Sequence, residues 1–327
     1  MNGRPGALAL LLRRLAKLRD DPAGFFLQSR FSMLRDAGRW HARRLDKRIV
    51  RAADAAADRA VAVIVTAFDA ADTLEAALDS LARQSHRTLE VIVVDDASTD
   101  ATQALARAFC ERDPRFRLLI NAENSGPYVS RNRALSQTRA DFVTFQDADD
   151  LSHPDRIARQ LGFLLANPAR LACLCSGTRQ DDAGRLLRID GRRARLEAST
   201  FFFHRERVMA SIGYFDCVRF AGDAEYASRL QAVHGARAIG RQHEVLLTAR
   251  FAAGSITRDG PGAHGWIAQA ASGEWRRIEA PARAAYRAAY GRWHATLRSG
   301  ADARLGFPQH DRPFPAPEGM AVPIDGA

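Results

Sequence analysis

From Val61 onward the chain alternates short apolar runs with amphipathic stretches, and that alternation restricts it to an α/β architecture. Val61-Ala-Val-Ile-Val65 is apolar throughout, the pattern of a strand buried on both faces. Leu74, Ala77, Leu78 and Leu81 then fall on one face of a helix, and Asp72-Thr-Leu-Glu75 reads as its capping box. Val91–Val94 is a second strand ending in Asp95-Asp96. Ser98 or Asp100 caps the next helix, which turns Leu105, Ala108 and Phe109 inward. Phe116–Ile120 is a third strand, Gly126-Pro127 opens a helix to about Thr138, and Phe142–Phe145 is a fourth strand. A helix from Pro154 through Leu165 and a strand Leu171–Cys175 follow. Repeated βαβ units predict a mostly parallel sheet with helices on both faces.

The fourth strand runs directly into three carboxylates, Asp147, Asp149 and Asp150. A strand ending in acids marks the carboxyl edge of an open sheet, where such folds bind ligands. Acids so close raise one another's pKa unless a cation sits among them. Hard oxygen ligands without nearby His or Cys suit Mg²⁺ or Mn²⁺ shared with substrate phosphates. The pattern therefore points to a metal-bound, phosphate-bearing donor.

The rest of the chain sets bounds. No apolar run approaches the roughly 18 residues of a membrane span. Ala7–Leu12 is cut off by Arg13 and Arg14, without the cleavage site of a signal peptide. Cys110, Cys173, Cys175 and Cys217 lack metal-ligand spacing and read as buried reduced thiols, which fits a cytoplasmic protein. Net charge is +10, and residues 1–60, with 14 Lys/Arg against 6 Asp/Glu, hold +8 of it. Leu8, Leu11, Leu12, Leu15 and Leu18 follow helical spacing there, so this segment is a basic amphipathic helix suited either to peripheral contact with the inner membrane face or to packing on the main domain. The predicted organisation is a basic helical extension (1–60), an α/β domain (61–255), a helical extension (256–300) and a Pro-containing tail (301–327), extended or disordered.

Several motifs stand in the order of a known family. They are Val65-Thr66-Ala67-Phe68-Asp69, Asp95-Asp96-Ala97-Ser98-Thr99-Asp100, Asn124-Ser-Gly126 with Ser130-Arg131-Asn132, Asp147-Ala148-Asp149, and Gly222-Asp223 before a helix. In these, residues 61–250 resemble glycosyltransferase family 2, of the GT-A nucleotide-diphospho-sugar transferase fold and like bacterial enzymes of capsular or lipopolysaccharide-type glycans. The resemblance implies metal-dependent, inverting transfer of a sugar from a UDP-linked donor to a saccharide or lipid-linked acceptor. It implies that Thr66, Ala67, Phe68, Asp96, Asn124, Arg131, Asp147 and Ala148 meet the donor nucleotide. Asp149, with Asp147, would hold Mn²⁺ or Mg²⁺. Asp223 would take the acceptor's proton, with Glu225 as fallback. As a plain helix cap, Asp223 would instead serve the helix that follows. Asp150 reads as the cap of the helix after Pro154, and Arg131 reads equally as an exposed helical residue. Ser199–Phe203 and Gly213–Asp216 would shape the acceptor side. The sequence departs from the family at Gly222, where many members carry Glu. His243 and His264 are weak candidates for a further metal ligand.

Other classes fit less well. A nucleotidyltransferase would carry a Gly-rich loop after the first strand, and Ala67-Phe68-Asp69-Ala70 has none. No G-x-G-x-x-G motif supports a dinucleotide enzyme. Basic residues are not interleaved with aromatics as in a nucleic-acid binder. A non-catalytic scaffold would not need Asp96, Asp149 and Asp223 together.

Overall fold

The computed structural model of the protein describes residues 46–251, 265–269 and 274–322. The segment expected to form a basic amphipathic helix, His264 and the last five residues lie outside them. Residues 46–54 are helical. From Ala52 on the chain is one compact unit.

Its centre is β1 (Val61–Ala67), flanked in parallel by β2 (Leu89–Asp95) and β4 (Phe142–Asp147), with β3 (Phe116–Ile120) parallel outside β2. The sheet continues from β4 through β9 (Phe202–His204) to β6 (Ala172–Gln180), β10 (Ile239–Arg250) and the short β5 (Leu151–Ser152). Strand β9 runs antiparallel to β4 and β6, whereas β10 is parallel to β6. Strand β8 (Ala194–Leu196) pairs antiparallel with β6. This mixed α/β sheet with a parallel half is the architecture the sequence implied.

Strand periodicity divides the core by parity. Val61, Val63 and Val65 join Val91 and Val93 under α1 (Leu74–Ala82), α2 (Thr102–Arg112) and α4 (Arg156–Ala166). Ala62 and Ile64 join Ile92, Val94 and Phe145 on the opposite face. There they meet α3 (Pro127–Gln137), α5 (Arg205–Ile212), α6 (Gly222–His234) and α7 (Pro281–Leu297). All five residues Val61–Val65 are fully buried. Each large one contributes about 1.5–3 kcal/mol over an exposed position.

A smaller sheet contains β7 (Arg188–Ile189), β11 (Gly265–Gln269) and β12 (Glu274–Ile278). Residues 181–184 form a turn, with Gly184 at φ +75° and its N–H donating to Asp181 O.

The segment after α7 is extended and lies along residues 212–219. Tyr214 N–H donates to Leu305 O at 2.9 Å, Arg219 N–H to Met320 O at 2.8 Å, and Val322 N–H to Cys217 O at 3.1 Å. Asp216, fully buried, accepts from Tyr286 Oη (2.8 Å), Gln309 Nε2 (3.0 Å) and Arg312 Nε (2.8 Å). So Gly213–Asp216, expected beside the acceptor, fastens the C-terminal segment instead. Gly213 has φ +66° and ψ −136°, and a Cβ there would stand 2.2 Å from Leu305 O. Gly213→Ala is expected to destabilise the fold by about 2 kcal/mol or more, from backbone strain plus the clash. Urea unfolding of the two proteins measures this, and an unchanged midpoint would contradict the packing.

Candidate functional site

Strand register assembles the site. Thr66 stands opposite Val94 of β2 and Asp147 of β4, and Ala67 stands opposite Asp95. The carboxyl ends of β1, β2 and β4 therefore present the Thr66–Phe68 backbone beside two groups of acids. Phe68 is 48% exposed, a free ring at the mouth of this edge.

The Asp-Asp-Ala-Ser-Thr-Asp signature ties loops together. Ser98 Oγ accepts from Asp69 N–H (3.0 Å), Asp100 Oδ2 from Ala71 N–H (3.0 Å), and Asp69 Oδ1 from Thr99 N–H (2.8 Å). Asp100 Oδ1 also accepts from Thr102 N–H at 2.9 Å, and the Thr102 hydroxyl first, then these backbone donors, hold its carboxyl below the usual range. Ser98 thus braces the β1 loop, and Ala101 stands at the cap position of α2. Asp69 and Ala97 take φ of +45° and +63°, strained values for side chains other than glycine.

Asp96 is buried and gathers four donors. Oδ1 accepts from Asn121 Nδ2 (2.6 Å), Ser125 N–H (3.0 Å) and Ser130 Oγ (3.1 Å); Oδ2 accepts from Gly126 N–H (2.7 Å). It anchors the start of α3, and with two lone pairs per oxygen only Oδ2 keeps capacity for another donor. Asn124 is fixed by Arg219, whose Nη1 donates to Asn124 Oδ1 at 2.9 Å. Asp95 Oδ1 is buried without a hydrogen-bond partner.

Arg131 is buried, not an exposed helical residue. Its guanidinium lies 5.1 Å from the ring centres of both Tyr128 and Phe145, and its Nη2 donates to Asp147 Oδ1 at 2.7 Å. Asp147, and more weakly Asp223, raise the Arg131 pKa against the opposing effect of burial. Ala148 is buried in the core layer under α1 and α4. Burial and then the charge of Asp147 push Asp149 up to about 6. Burial, Asp147 and Asp149 push Asp150 well above the usual carboxyl value. Asp150 does not cap α4. It accepts from Ser199 Oγ at 3.3 Å, while Asp155 stands at the α4 cap. Beneath them buried Gln146 donates to Ala77 O and Asp150 O, both at 3.1 Å, fixing the loop that carries the acids.

Among the described residues no group of three His, Cys, Asp or Glu side chains could hold a metal ion alone. His243 is exposed on β10. The residues fit a cation whose remaining ligands are phosphate and water oxygens, because Asp149 is an acid held in a partly dry site beside another acid.

On the other side, Asp223 lies in the first turn of α6, and the cap position belongs to Ala221, at φ +63°. Its Oδ1 accepts from Ala224 N–H at 2.8 Å. Asp223 also faces the buried Tyr128 phenol, whose pKa burial, with the nearby Asp223 charge, raises. The Tyr128 ring explains the family departure: a Cβ on Gly222 would stand 2.9–3.0 Å from it. Glu225 cannot serve as a fallback base. It is fully buried, with Arg229 Nη2 donating to its Oε2 at 3.0 Å and His294 Nε2 lying 2.9 Å from Oε1. Of Ser199–Phe203, Ser199 donates to Asp150, whereas Phe201, Phe202 and Phe203 are core.

Sequence patterns missed Tyr128 and Arg219, whose partners Gly222 and Asn124 are distant in the chain. A second hollow lies at the amino edge of the sheet, lined by Arg59, Asp141, His204 and Arg205, away from these acids. His204 there is depressed to about 4 by burial and by Arg207.

The profile of the glycosyl transferase family 2 matches residues 62–224. The succinoglycan biosynthesis protein ExoO of Rhizobium meliloti is 39% identical over 112 residues, which cover 34% of this chain and 32% of that protein. Glycosyltransferase GlyA of Streptococcus pneumoniae is 36% identical over 100 residues, covering 31% and 14%. The matches thus span less than half the length of these relatives. Among solved structures, mannosyltransferase PcManGT from Pyrobaculum calidifontis, in complex with GDP-Man and Mn²⁺, aligns with a TM-score of 0.47 and 25% identity. That alignment covers 61% of this chain and 58% of that one. S. aureus TarS 1-349 with UDP-GlcNAc aligns with a TM-score of 0.49 and 21% identity, covering 60% and 59%.

Asp96→Ala is expected to cost about 3 kcal/mol, since one charged acceptor and the partners of several buried donors disappear together. Chemical denaturation gives the loss, and limited proteolysis should cut faster at residues 121–126. A loss below about 1 kcal/mol, the worth of one ordinary hydrogen bond, would reject the anchoring role.

Proposed function

We propose that this chain, whose residues 62–224 are a glycosyl transferase family 2 domain, transfers a sugar from a nucleotide-diphosphate donor to a saccharide or lipid-linked acceptor. The supporting observation is the register that sets Thr66 beside Asp147, with Arg131 linking Asp147 to the side where Asp223 stands. Residues 61–255 would be the catalytic domain, and 1–60, 256–300 and 301–327 extensions to it. Among the described residues no helix is long and apolar enough to cross a membrane.

In this reading the donor base, uracil, lies over the Thr66–Phe68 backbone, with the exposed Phe68 ring against its face and Asp96 Oδ2 open to its ring N–H. Asn124 borders the same slot. Asp147, oriented by Arg131, meets the ribose or a metal-bound water. Asp149 would hold Mn²⁺ or Mg²⁺ against the diphosphate. When bound, such a cation supplies Lewis-acid neutralisation of the charge that collects on the leaving nucleotide. Asp223 takes the proton from the acceptor hydroxyl as it attacks the anomeric carbon. A single displacement of this kind inverts the anomeric configuration.

Two outcomes test the reading. Donor turnover should cease in EDTA and return with Mn²⁺ or Mg²⁺, and Asp149→Asn should weaken calorimetric binding of nucleotide plus Mn²⁺ while leaving the unfolding midpoint in place. Full turnover in EDTA would refute the cation's role. Asp223→Asn should lower transfer by about 10²–10⁴-fold, the usual worth of general-base catalysis, with nucleotide binding retained. Near-normal transfer by that variant would remove Asp223 from the chemistry.

A further inference from the structure

The helix that carries Asp223 has a weak start. Ala221 stands at its cap position, at φ +63° and without a side-chain cap bond, and Gly222 is its first residue. Glycine is a poor helix former, and an uncapped first turn leaves backbone N–H groups without partners. The bond from Ala224 N–H to Asp223 Oδ1, at 2.8 Å, lies within that turn and ties it to no other element.

The turn is held from below instead, through Glu225. This carboxylate is fully buried and cannot reach a substrate, yet it has donors from two helices. Arg229, four residues along α6 and also fully buried, donates from Nη2 to Glu225 Oε2 at 3.0 Å, and its Nε lies 3.0 Å from Oε1. His294, near the end of α7, places Nε2 2.9 Å from Oε1 and Nδ1 3.3 Å from Ser228 Oγ. One tautomer serves both contacts, with Nε2–H donating to the carboxylate and Nδ1 accepting from the Ser228 hydroxyl.

The His294 ring has little freedom to move. It is buried, with the Tyr290 and Trp293 rings 5.0 and 5.3 Å away. Helix α7 is itself fastened at its other end, where Tyr286 Oη donates to buried Asp216. A buried carboxylate loses heavily if a donor is withdrawn, so Glu225 has a strong preference for this one geometry. Glu225 and Asp223 share the first turn of α6, so what fixes one fixes the backbone that aims the other.

We propose that His294 is a positioning residue for transfer, fixing through Glu225 the first turn of α6 and hence the direction in which Asp223 faces the acceptor. This rests on the reading of Asp223 as the acceptor-side base. Helix α7 lies outside residues 62–224, so the matched domain does not set this direction by itself.

Hydrogen exchange of the full chain, read in peptides spanning residues 221–226 and in β1, tests the link without any substrate. His294→Phe keeps a ring and removes the donor. It should speed exchange at 221–226 by about tenfold while β1 stays protected, because a lost bond to a buried charge opens the turn locally. His294→Gln restores an N–H donor and should recover most of the protection. Ser228 is half-buried, so Ser228→Ala tests the same link where His294→Phe fails to fold; exchange at 221–226 should rise by a smaller factor. Turnover, read as UDP released from a panel of UDP-sugars with Mn²⁺, should fall about tenfold in kcat for His294→Phe with donor KM little changed, and His294→Gln should regain most of it. Adding His294→Phe to Asp223→Asn should lower turnover no further, as for two residues acting through one group. Unchanged exchange at 221–226 in every folded variant overturns the proposal. Exchange that rises equally in β1 also overturns it, since His294 would then be a general fold contact. If exchange localises as expected while Asp223→Asn turns over normally, the base assignment fails and the α6–α7 link stands. If Asp223→Asn is inactive while His294→Phe is fully active, the base stands and the positioning role fails.

Discussion

The arrangement of this site depends on how a buried guanidinium is balanced. Arg131 sits between two aromatic rings, and an isolated buried cation costs several kcal/mol in lost hydration. Its compensation comes from Asp147 at the end of β4, with Asp223 contributing from the start of α6. One buried cation thereby holds Asp147 by a hydrogen bond and feels the charge of Asp223 on a distant element. Within Asp147–Asp150 burial and mutual repulsion push Asp149 and Asp150 up, against the opposing charges of Arg250 on Asp149 and of Arg179 on both. Strain gathers around this balance. Asp69, Ala97 and Ala221 all take positive φ, and each lies in a loop bordering the site. Such conformations persist because tertiary bonds over-determine them, as the Asp69–Thr99 and Asp69–Ser98 contacts do.

The parallel half of the fold was legible because its information is local and periodic. Val61–Val65 is apolar in every position, and a doubly covered strand needs nothing else. The acids after Phe145 were legible for a similar reason, since carboxylates rarely crowd a strand end without a ligand. Capping was less legible. Asp72 heads a good capping pattern, yet α1 begins after Thr73 without a side-chain cap bond. Ser98 and Asp150 were read as caps but bond elsewhere, to the β1 loop and to Ser199. A short polar side chain can satisfy any nearby donor, and only the tertiary fold decides which one.

The C-terminal third was hardest to read because its partners lie far away in sequence. Asp216 bonds Gln309 and Arg312, more than 90 residues on. Glu225 looks like a second candidate base in Gly222-Asp-Ala-Glu225, but helix periodicity turns it inward, away from Asp223. Buried Arg229 and His294 then engage it. Gly222 is the converse case. As a sequence it is a lost acid; in the fold it is the space that lets the Tyr128 ring lie against α6. The acid was exchanged for an aromatic wall, and Tyr128 is the residue that stacks on Arg131. The departure and the buried cation are parts of one solution.

That solution sets acids on both sides of one buried cation. Asp147 and its neighbours stand where β1, β2 and β4 end, and Asp223 stands at the start of α6. On the proposed reading this arrangement has a chemical sense. The donor brings a diphosphate whose negative charge grows as the sugar leaves, so an acid-rich wall can hold it only through a cation. The acceptor side faces the opposite demand: a base must stay close to a nucleophile while extra negative charge is kept from crowding it. Arg131, which pairs with Asp147 and feels the charge of Asp223, meets that demand. Because Arg131 pairs with the donor-side acid and feels the acceptor-side one, movement of either acid changes the field at the other. Occupancy of one half of the site should therefore alter the electrostatics of the other through a single side chain.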